Sequence, residues 1–561
     1  MTITSQKGFP IIILICGVAG TTLLCSLLVV FLPKDALPES HIDQEQEKAG
    51  DLPCASRMYN SDSVVCVCNS TYCDTISEVP VIPSGQAITY TSSKSGLRFA
   101  KQTLNFQSGT PSSGRNLIVN TTDRFQKLIG FGGAFTDAAG INIASLSSEA
   151  QNYFLRSYFS DQGIGFNMGR IPMASVDFST HLYTYADQPN DFEMKNFSLA
   201  SEDFQYKIPY IKKAVEMSNR TSFRLFGSPW SAPAWMKTNK ALIGKGSLIG
   251  RAGNKYHKAW ALYFARFLEE YKANGVDIWA VTAQNEPIDG LARNFSFQCM
   301  GWTAEHQRDF IKTDLGPTLH SRGHGDVKVI IGDDQRLVFP RWAEVVLNDT
   351  SASQYVSGIG VHWYNFNFLE PISRISDTHK AFPDYFILGT EACSGAMPFQ
   401  PDKVILGSWT RGQRYSMDII QDLNHWVAGW VDWNLALDLE GGPNWVKNFV
   451  DAAIIVNAES DEFYKQPIFY HLGHFSKFLR EDSVRISLHE ENEESSLKHV
   501  AFIDDEKSIV TIVLLNTSQQ NQTINVIYDK FYVRTELPAD SIQTVVFNSL
   551  IAGSDNANKA L

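Results

Sequence analysis

Eight short apolar runs alternate with helical patterns between residues 127 and 432, and this alternation constrains the fold more than any other feature. The predicted strand cores are 127–131, 164–171, 223–227, 277–282, 328–332, 358–362, 385–389 and 427–432. The clearest helical pattern covers 254–274, where Trp260, Phe264 and Phe267 belong to one broad apolar face. Eight strands that alternate with helices predict an α/β fold, a parallel (β/α)₈ TIM barrel.

The segments on either side of the barrel region favour strands over helices. Residues 86–125 contain short strands broken by Ser and Gly, and residues 500–548 contain three β-branched runs. We therefore predict an associated β-sandwich domain beside the barrel. The predicted boundaries are a leader and linker at 1–51, a disulfide-rich β element at 52–78 completed by 435–466, the sandwich at 79–125 with 483–550, the barrel at 126–434 with 467–482, and a tail at 551–561.

The amino terminus predicts export from the cytosol. Residues 8–33 form an uncharged apolar stretch after Lys7 that is long enough to span a bilayer. Either a cleaved signal peptide or a retained signal anchor fits this pattern. Four cysteines follow closely, and they allow three pairings, which predicts a small disulfide-containing N-terminal β element in an oxidising compartment. These cysteines are Cys54, Cys66, Cys68 and Cys73.

Eight Asn-x-Ser/Thr sequons agree with an exported glycoprotein. Such a number also arises by chance in a chain of this length, so the sequons support the leader and the cysteines rather than stand alone. The candidate glycosylation sites are Asn69, Asn120, Asn196, Asn219, Asn294, Asn348, Asn516 and Asn521.

Charge and motifs exclude some classes of function. The net charge is −12 with neutral histidines, so a broad nucleic-acid footprint is not expected. We find no glycine-rich nucleotide loop and no convincing metal-ligand spacing. The sequence therefore predicts no metal and no organic cofactor.

Two of the predicted strands deliver a carboxylate at their carboxyl ends. Glu286 follows the apolar run 278–281, and Glu391 follows the run 385–388. The carboxyl ends of barrel strands carry the chemistry, and glycoside hydrolysis needs a facing pair of carboxylates. A lone acidic residue in such a loop is more often an ordinary loop residue. Two at matching strand ends, in a chain rich in loop tryptophans, favour a glycosidase site.

Four sequence runs resemble the glucosylceramidases of glycoside hydrolase family 30. They are GFGGAFTDAA at 130–139, RIPMAS at 170–175, SPWSAP at 228–233 and GGPNWV at 441–446. The resemblance extends from about Cys54 to about Phe547. It implies a retaining β-glucosidase that hydrolyses glucosylceramide to glucose and ceramide through a covalent glucosyl-enzyme intermediate in an acidic lumen.

The resemblance also implies roles for individual residues. Glu286 would be the general acid/base and Glu391 the nucleophile, so we expect a raised pKa for Glu286 and an ionised Glu391. Tyr364 would hold the nucleophile, whereas we expect His362 to be a buried histidine with satisfied hydrogen bonds. The substrate-binding positions of the family correspond to Asp177, Trp230, Asn285, Tyr364 and Trp433.

Three features depart from the family pattern. Gln284 stands where a glutamate commonly precedes the Asn-Glu pair, so one charge near the acid is absent. The loops 365–368 and 394–403 differ in length or composition, and both are expected to border the mouth of the cleft. Lipid preference and activator contact are therefore the properties that the resemblance constrains least.

The implied partners are membrane-embedded glucosylceramide, anionic phospholipid and a saposin-type activator protein. The implied location is the lysosome lumen, with peripheral membrane association after entry through the secretory pathway. Apolar contacts with a bilayer are possible near the cleft, although core packing is the ordinary role of such residues. The candidates are Phe295, Phe297, Phe366 and Phe368.

Two other functions remain open at this stage. A retaining hydrolase of another β-glycoside, such as a steryl glucoside, a galactoside or xylan, would carry the same two carboxylates, because a few hydroxyl contacts decide the sugar. An inactive lumenal binding protein of the same fold is the alternative from a different class. The presence of both Glu286 and Glu391 argues against it.

Overall fold

The computed structural model describes residues 11–19, 22–30, 51–220, 222–364, 371–396, 400–491 and 496–551. Within the leader it places an antiparallel pair of strands, and the remainder of the leader lies outside the described residues. Phe366, Phe368, part of the loop 394–403 and most of the predicted tail also lie outside them. None of the helices in these ranges combines the length and the apolarity that a membrane crossing requires.

The described residues form twenty-five strands. They are β1 Ile11–Ala19, β2 Thr22–Val30, β3 Ser56–Met58, β4 Val64–Asn69, β5 Gln86–Ser93, β6 Ala100–Asn105, β7 Gln107–Ser108, β8 Arg115–Lys127, β9 Gly130–Ala134, β10 Met168–Met173, β11 Arg224–Pro229, β12 Ala280–Thr282, β13 Lys328–Gln335, β14 Val356–His362, β15 Phe386–Glu391, β16 Val427–Asn434, β17 Leu437–Asp438, β18 Ile454–Asn457, β19 Glu462–Lys465, β20 Val484–Glu490, β21 Leu497–Asp504, β22 Ile509–Asn516, β23 Gln522–Tyr528, β24 Phe531–Leu537 and β25 Ser541–Asn548.

Eleven α-helices occur in the same described ranges. They are α1 Asp137–Ala144, α2 Ser148–Phe159, α3 Ile208–Met217, α4 Lys255–Ala273, α5 Ala304–Phe310, α6 Gly316–Ser321, α7 Arg341–Leu347, α8 Thr350–Ser353, α9 Ser373–Ala381, α10 Trp409–Asn424 and α11 Pro467–Ser476. The helix predicted at 254–274 corresponds to α4, whose N-cap residue Asn254 accepts hydrogen bonds from the backbone N–H groups of Tyr256 and His257. A side-chain oxygen at this position satisfies donors that the first helical turn leaves open.

The eight strands β9 to β16 form a closed parallel barrel, which confirms the predicted (β/α)₈ fold. Each predicted strand core is found, displaced by a few residues at most. The barrel closes through β16 and β9, where Gly429 pairs with Gly130. Strand β9 is glycine-rich because its neighbour is close: a Cβ atom on Gly132 would lie 2.1 Å from the carbonyl oxygen of Met168.

The barrel interior is filled by apolar side chains rather than by a channel. One cluster of buried residues draws a member from each of six strands, and residues of non-adjacent strands can meet only inside the barrel. Its members are Met168, Phe226, Ala280, Ile330, Leu388 and Val431. This packed floor leaves the carboxyl ends of the strands as the place where polar side chains can gather.

A ten-stranded sheet forms the predicted β-sandwich. Its strand order is β6-β5-β25-β22-β21-β20-β8-β23-β24-β7, so strands that precede the barrel in the chain are interleaved with strands that follow it. The sheet folds over so that β24 contacts both β6 and β25. A separate apolar core, with Leu117, Ile512 and Val533 among its buried members, lies between the two halves.

A five-stranded sheet contains the cysteine cluster. The order is β17-β18-β19-β4-β3, and β4 pairs antiparallel with β19. Two disulfides hold this element, Cys54–Cys66 and Cys68–Cys73. The predicted disulfide-containing β element is therefore present, whereas Cys299 and Cys393 are buried free thiols.

Candidate active site

Five barrel strands bring charged side chains together at their carboxyl ends. Arg170 lies on β10, Glu286 follows β12, Asp333 lies on β13, His362 ends β14 and Glu391 ends β15. The structure places these five residues in one hydrogen-bonded cluster. We call this set the strand-end cluster.

Glu391 is held by two donors on different strands. The Nη1 group of Arg170 donates to Oε2 at 2.7 Å, and the hydroxyl of Tyr364 donates to Oε1 at 2.7 Å. Each carboxylate oxygen thus has its own fixed donor. The predicted contact between Tyr364 and Glu391 is present in the structure.

Glu286 has a different setting. Its Oε1 accepts hydrogen bonds from Nε2 of Gln335 at 2.7 Å and from Nδ1 of His362 at 3.0 Å. Its φ angle of +38° lies in the left-handed region, which costs about 1–3 kcal/mol for a residue other than glycine. Its N–H donates to the carbonyl oxygen of Asp333 at 2.9 Å, so the strained turn is anchored to β13.

Arg170 links Glu391 to Asp333 and Asn285 through a fully buried guanidinium group. Its Nη1 group donates to Glu391, and its Nη2 group donates to Oδ2 of Asp333 and to Oδ1 of Asn285, each at 2.8 Å. The cation lies 5.0 Å from the ring centre of Trp230 and 5.6 Å from that of Trp433. A buried charge needs such partners, and here they fix the orientation of Glu391 and Asn285 relative to each other.

The two other charged members of the cluster have strongly shifted pKa values. Burial opposes the charge on His362, but the carboxylates of Glu391, Asp333 and Glu286 raise the pKa of His362 to about 10. Burial would raise the pKa of Asp333, but Arg170 and His362 lower it to about 2. His362 is therefore a cation that donates from both ring nitrogens, to Glu286 and to Asp333.

The pKa of Glu286 shifts in the direction opposite to the sequence-based expectation, and the pKa of Glu391 is raised. Burial raises the pKa of Glu391, the nearby Glu286 charge raises it further, and the net direction is upward despite Arg170 and His362. Burial also acts upward on Glu286, but the hydrogen bond and charge of His362 outweigh it, and the pKa of Glu286 is lowered. The direction at Glu286 differs because the sequence cannot reveal that a protonated histidine contacts this residue.

The carboxylates are close enough to act on one bond. Oxygen atoms of Glu286 and Glu391 and a ring nitrogen of His362 all lie within 4.8 Å of one another. Arg170 and the protonated His362 already place two positive charges among the carboxylates of Glu286, Asp333 and Glu391, which favours acid–base chemistry over metal binding at this cluster.

Asp177 lies in the loop after β10, close enough for the charge of Glu391 to act on it. Its Oδ2 accepts from the side-chain amides of Asn444 at 3.2 Å and Asn448 at 3.0 Å. Burial and the charge of Glu391 raise the pKa of Asp177 to about 7, although the two amides oppose the rise. Asn444, Asn448 and Gln335 are site residues that the sequence analysis did not identify.

The two predicted sugar-binding tryptophans stack on each other. The ring centres of Trp230 and Trp433 are 5.2 Å apart with an interplanar angle of 19°. Both are almost completely buried, and Arg170 lies over both rings. In the structure they support the cluster, so any sugar contact would use only the small edges that remain exposed.

Gln284 is fixed as an amide by its surroundings. Its Nε2 donates to the carbonyl oxygens of Trp230 and Asn285, and its Oε1 accepts from Nε1 of Trp302. A carboxylate would face two carbonyl oxygens at this position without the hydrogens to bind them. The charge that the family pattern leads one to expect here would therefore be unfavourable in this chain.

One candidate glycosylation site is wrong. Asn516 is fully buried, and its amide nitrogen donates to the carbonyl oxygens of Gln520 and Pro538. A glycan could not be accommodated there in the folded chain. The other sequon asparagines are at least partly exposed, namely Asn69, Asn120, Asn196, Asn219, Asn294, Asn348 and Asn521.

Known proteins resemble this chain in both sequence and structure. Residues 128–479 match the Glycosyl hydrolase family 30 TIM-barrel domain, and residues 482–545 match the Glycosyl hydrolase family 30 beta sandwich domain. The chain is 48% identical over 499 residues to lysosomal acid glucosylceramidase of Mus musculus, covering 89% of this chain and 96% of the mouse protein.

Two solved structures share the fold at lower identity. SrfJ from Salmonella typhimurium superposes with a TM-score of 0.75 at 26% identity, covering 82% of this chain and 99% of SrfJ. An endo-β-1,6-glucanase superposes with a TM-score of 0.72 at 25% identity, again covering 82% and 99%.

Proposed function

This chain belongs to glycoside hydrolase family 30, and we propose that it is a retaining β-glucosidase that hydrolyses glucosylceramide to glucose and ceramide. The chain is a glycoside hydrolase by family. The finer proposal concerns the mechanism, the lipid substrate and the roles of individual residues. It is supported chiefly by the approach of Glu286 and Glu391 to within 4.8 Å.

The short distance favours retention of configuration. Retaining enzymes place the two carboxyl groups about 5–5.5 Å apart, whereas inverting enzymes keep about 6.5–9.5 Å to admit a water molecule between sugar and base. An oxygen–oxygen approach within 4.8 Å is nearer to the retaining arrangement than to the inverting one.

We assign Glu391 as the nucleophile and Glu286 as the acid/base. Arg170 and Tyr364 each donate to one oxygen of Glu391 and so hold it at the end of β15. Attack on the anomeric carbon would form a glucosyl ester on Glu391 while Glu286 protonates the departing oxygen. Water would then break the ester with Glu286 as the base.

The substrate proposal rests on the mouse relative. Identity of 48% over nearly the whole mouse enzyme supports a glucosylceramide substrate and a lysosomal location. Two apolar side chains on the loop after β12, Ile288 and Leu291, are exposed beside the acid/base. Phe295 and Phe297 on the same loop are half-buried, and their ring centres are 4.4 Å apart. These residues support an approach to membrane lipid; anionic phospholipid and a saposin-type activator remain proposed helpers.

Another β-glycoside is the alternative substrate. The endo-β-1,6-glucanase neighbour has the same fold at 25% identity, and a few hydroxyl contacts separate one sugar or aglycone from another. Comparing hydrolysis of glucosylceramide in anionic vesicles with hydrolysis of a soluble β-1,6-glucan would separate the two.

Covalent trapping tests the mechanism. A 2-deoxy-2-fluoro-β-glucoside with a good leaving group should inactivate the enzyme, and peptide mapping should place the label on Glu391. A Glu286→Gln variant serves as the control, since it retains the nucleophile and should still be labelled by the activated reagent. A label on Glu286, or none on folded protein, would overturn the assignment.

A further inference from the structure

A third carboxyl group contacts Glu286 from its own loop. Asp289 begins a 3₁₀ turn, Asp289–Leu291, and its N–H donates to the carbonyl oxygen of Glu286 at 3.0 Å. The turn brings the two residues together, and their carboxyl groups come within hydrogen-bonding reach of each other. A hydrogen bond between them requires that one of the two carboxyl groups carries a proton.

The turn is anchored to the neighbouring strand. The N–H of Ile288 donates to Oδ2 of Asp334 at 3.3 Å, and the N–H of Glu286 donates to the carbonyl oxygen of Asp333. These bonds fix the backbone of Glu286 and Asp289 relative to β13 and to each other.

The charges around the pair favour one retained proton. Burial, Glu286, Asp334 and Glu391 raise the pKa of Asp289 to about 11. Burial and Glu286 raise the pKa of Asp334 to about 7. The charged and titratable groups that face the pair are His362 on β14, Arg170 on β10, Asp333 and Asp334 on β13, Glu391 on β15, Tyr364 after β14, and the thiol of Cys299 in the loop before α5.

We propose that Asp289 is a positioning residue for the acid/base step, whose carboxyl group shares one proton with Glu286 and keeps that proton on the pair at working pH. The inference rests on the proposed role of Glu286. Two carboxyl groups in contact lose their protons in two separate steps, and the second proton belongs to the pair rather than to either residue. This sharing supplies a proton to Glu286, which His362 would otherwise hold ionised.

The proton balance closes over one turnover. When the bond between Glu391 and the anomeric carbon forms, the pair gives its proton to the leaving oxygen, and both of its carboxyl groups become ionised. When water attacks the glucosyl ester, the pair takes one proton from that water. The water oxygen bonds to the anomeric carbon, and Glu391 leaves as a carboxylate. Repulsion within the ionised pair strengthens Glu286 as a base in this second step.

The position of Asp289 bears on a departure from the family pattern, namely the amide of Gln284 in place of a glutamate. The family pattern places a carboxylate before the Asn-Glu pair, and this chain holds an amide there. The structure places the carboxyl group of Asp289 near Glu286; Asp289 follows Glu286 in the sequence, whereas Gln284 precedes it. The loop after β12 therefore retains a second carboxyl group near the acid/base, at a different position.

Two variants of Asp289 separate proton sharing from a structural role. Asp289→Asn keeps a hydrogen-bond donor to Glu286 but has no proton to share, and Asp289→Ala removes both. We expect the basic limb of the kcat/KM profile for 4-nitrophenyl β-glucoside to move to lower pH by about one unit or more in both variants. The shift should be at least as large in Asp289→Asn, because its amide stabilises ionised Glu286.

The control is Asp277→Asn, an equivalent change at a side chain that is 88% exposed before β12. Its basic limb should coincide with that of the wild type. A uniform fall in kcat/KM with an unshifted limb in either Asp289 variant would indicate a structural role and overturn the inference.

Labelling by the 2-deoxy-2-fluoro-glucoside gives the fraction of competent sites in every sample. A wild type that hydrolyses no β-glucoside and takes up no label would refute the proposed function, whereas a labelled enzyme with an unshifted limb would refute only the role of Asp289. If neither variant folds, the wild-type profile still decides: a basic limb below about pH 5 would mean that Glu286 titrates without a partner.

Discussion

The two catalytic candidates sit at equivalent strand ends, yet their surroundings differ in kind. Glu391 is the last residue of strand β15, and fixed donors on Arg170 and Tyr364 satisfy both of its oxygens. Glu286 occupies a strained turn and contacts two groups that can carry protons, His362 and Asp289. The comparison teaches that a nucleophile needs a fixed position, whereas an acid/base needs partners that exchange a proton.

The most severe test of this contrast removes the nucleophile. Glu391→Gly should abolish turnover, because no other group described in the site can form the ester. Added azide should fill the gap and attack an activated β-glucoside once, giving α-glucosyl azide. Product stereochemistry by NMR checks this, and a β-product would contradict the role of Glu391.

The matching change at the acid/base should give the opposite stereochemistry. Glu286→Gly should still form the glucosyl-enzyme from substrates with good leaving groups but release it slowly, with an overall loss of about 10²–10⁴-fold on poor leaving groups. Azide should then yield β-glucosyl azide after two inversions. Unchanged turnover of a poor leaving group without azide would remove the distinction between the two residues.

The next largest expected effect is the pH-dependent contribution of Asp177, a neighbour of Glu391, to the stability of the folded chain. The pKa of Asp177 is raised to about 7 in the folded chain, against about 3.9 when unfolded. Because the folded state then binds more protons, this stabilisation is present near pH 4 and is lost as the pH rises through 7. The upper limit is about 4 kcal/mol.

An Asp177→Asn variant should lack this pH-dependent part. Measured by thermal unfolding, the stability of the wild type relative to the variant should fall between pH 4 and pH 7. A difference that stays constant over this range would show that Asp177 is ionised throughout, and Glu391 would then have a charged neighbour.

The smallest effect concerns one donor to the nucleophile. Tyr364→Phe removes the 2.7 Å hydrogen bond to Glu391 Oε1 but leaves Arg170 in place. A hydrogen bond to a charged group contributes about 1.5–3 kcal/mol, so kcat/KM should fall about 10- to 100-fold. Rapid-mixing kinetics should assign the loss to formation of the glucosyl-enzyme; a loss confined to its hydrolysis would contradict this.

Much of the barrel and both glutamates could be predicted because their signals are local. Apolar runs followed by polar residues locate β12 and β15 and their carboxylates, and the alternation with helices gives the strand count. The family resemblance supplied Tyr364, Asp177 and the assignment of roles, which residue patterns alone could not give.

The remaining features depend on contacts between distant segments. The protonated His362 outweighs burial and lowers the pKa of Glu286, and only the folded barrel brings the two residues together. Asp289 acts through a turn with a positive φ angle at Glu286, which no sequence pattern indicated. Asn516 satisfies the sequon rule, but it is buried by the β-sandwich.

The interleaved order of strands in the β-sandwich has a consequence during synthesis. Strand β8 pairs with β20, and Lys127 lies opposite Val484, more than 350 residues further along the chain. At about 5–20 residues per second, the ribosome needs roughly 20–70 s to supply that partner. During this time β5, β6 and β8 have edges that other chains could occupy. A stop codon before β20 would leave β8 without either of its neighbours in the sheet, β20 and β23.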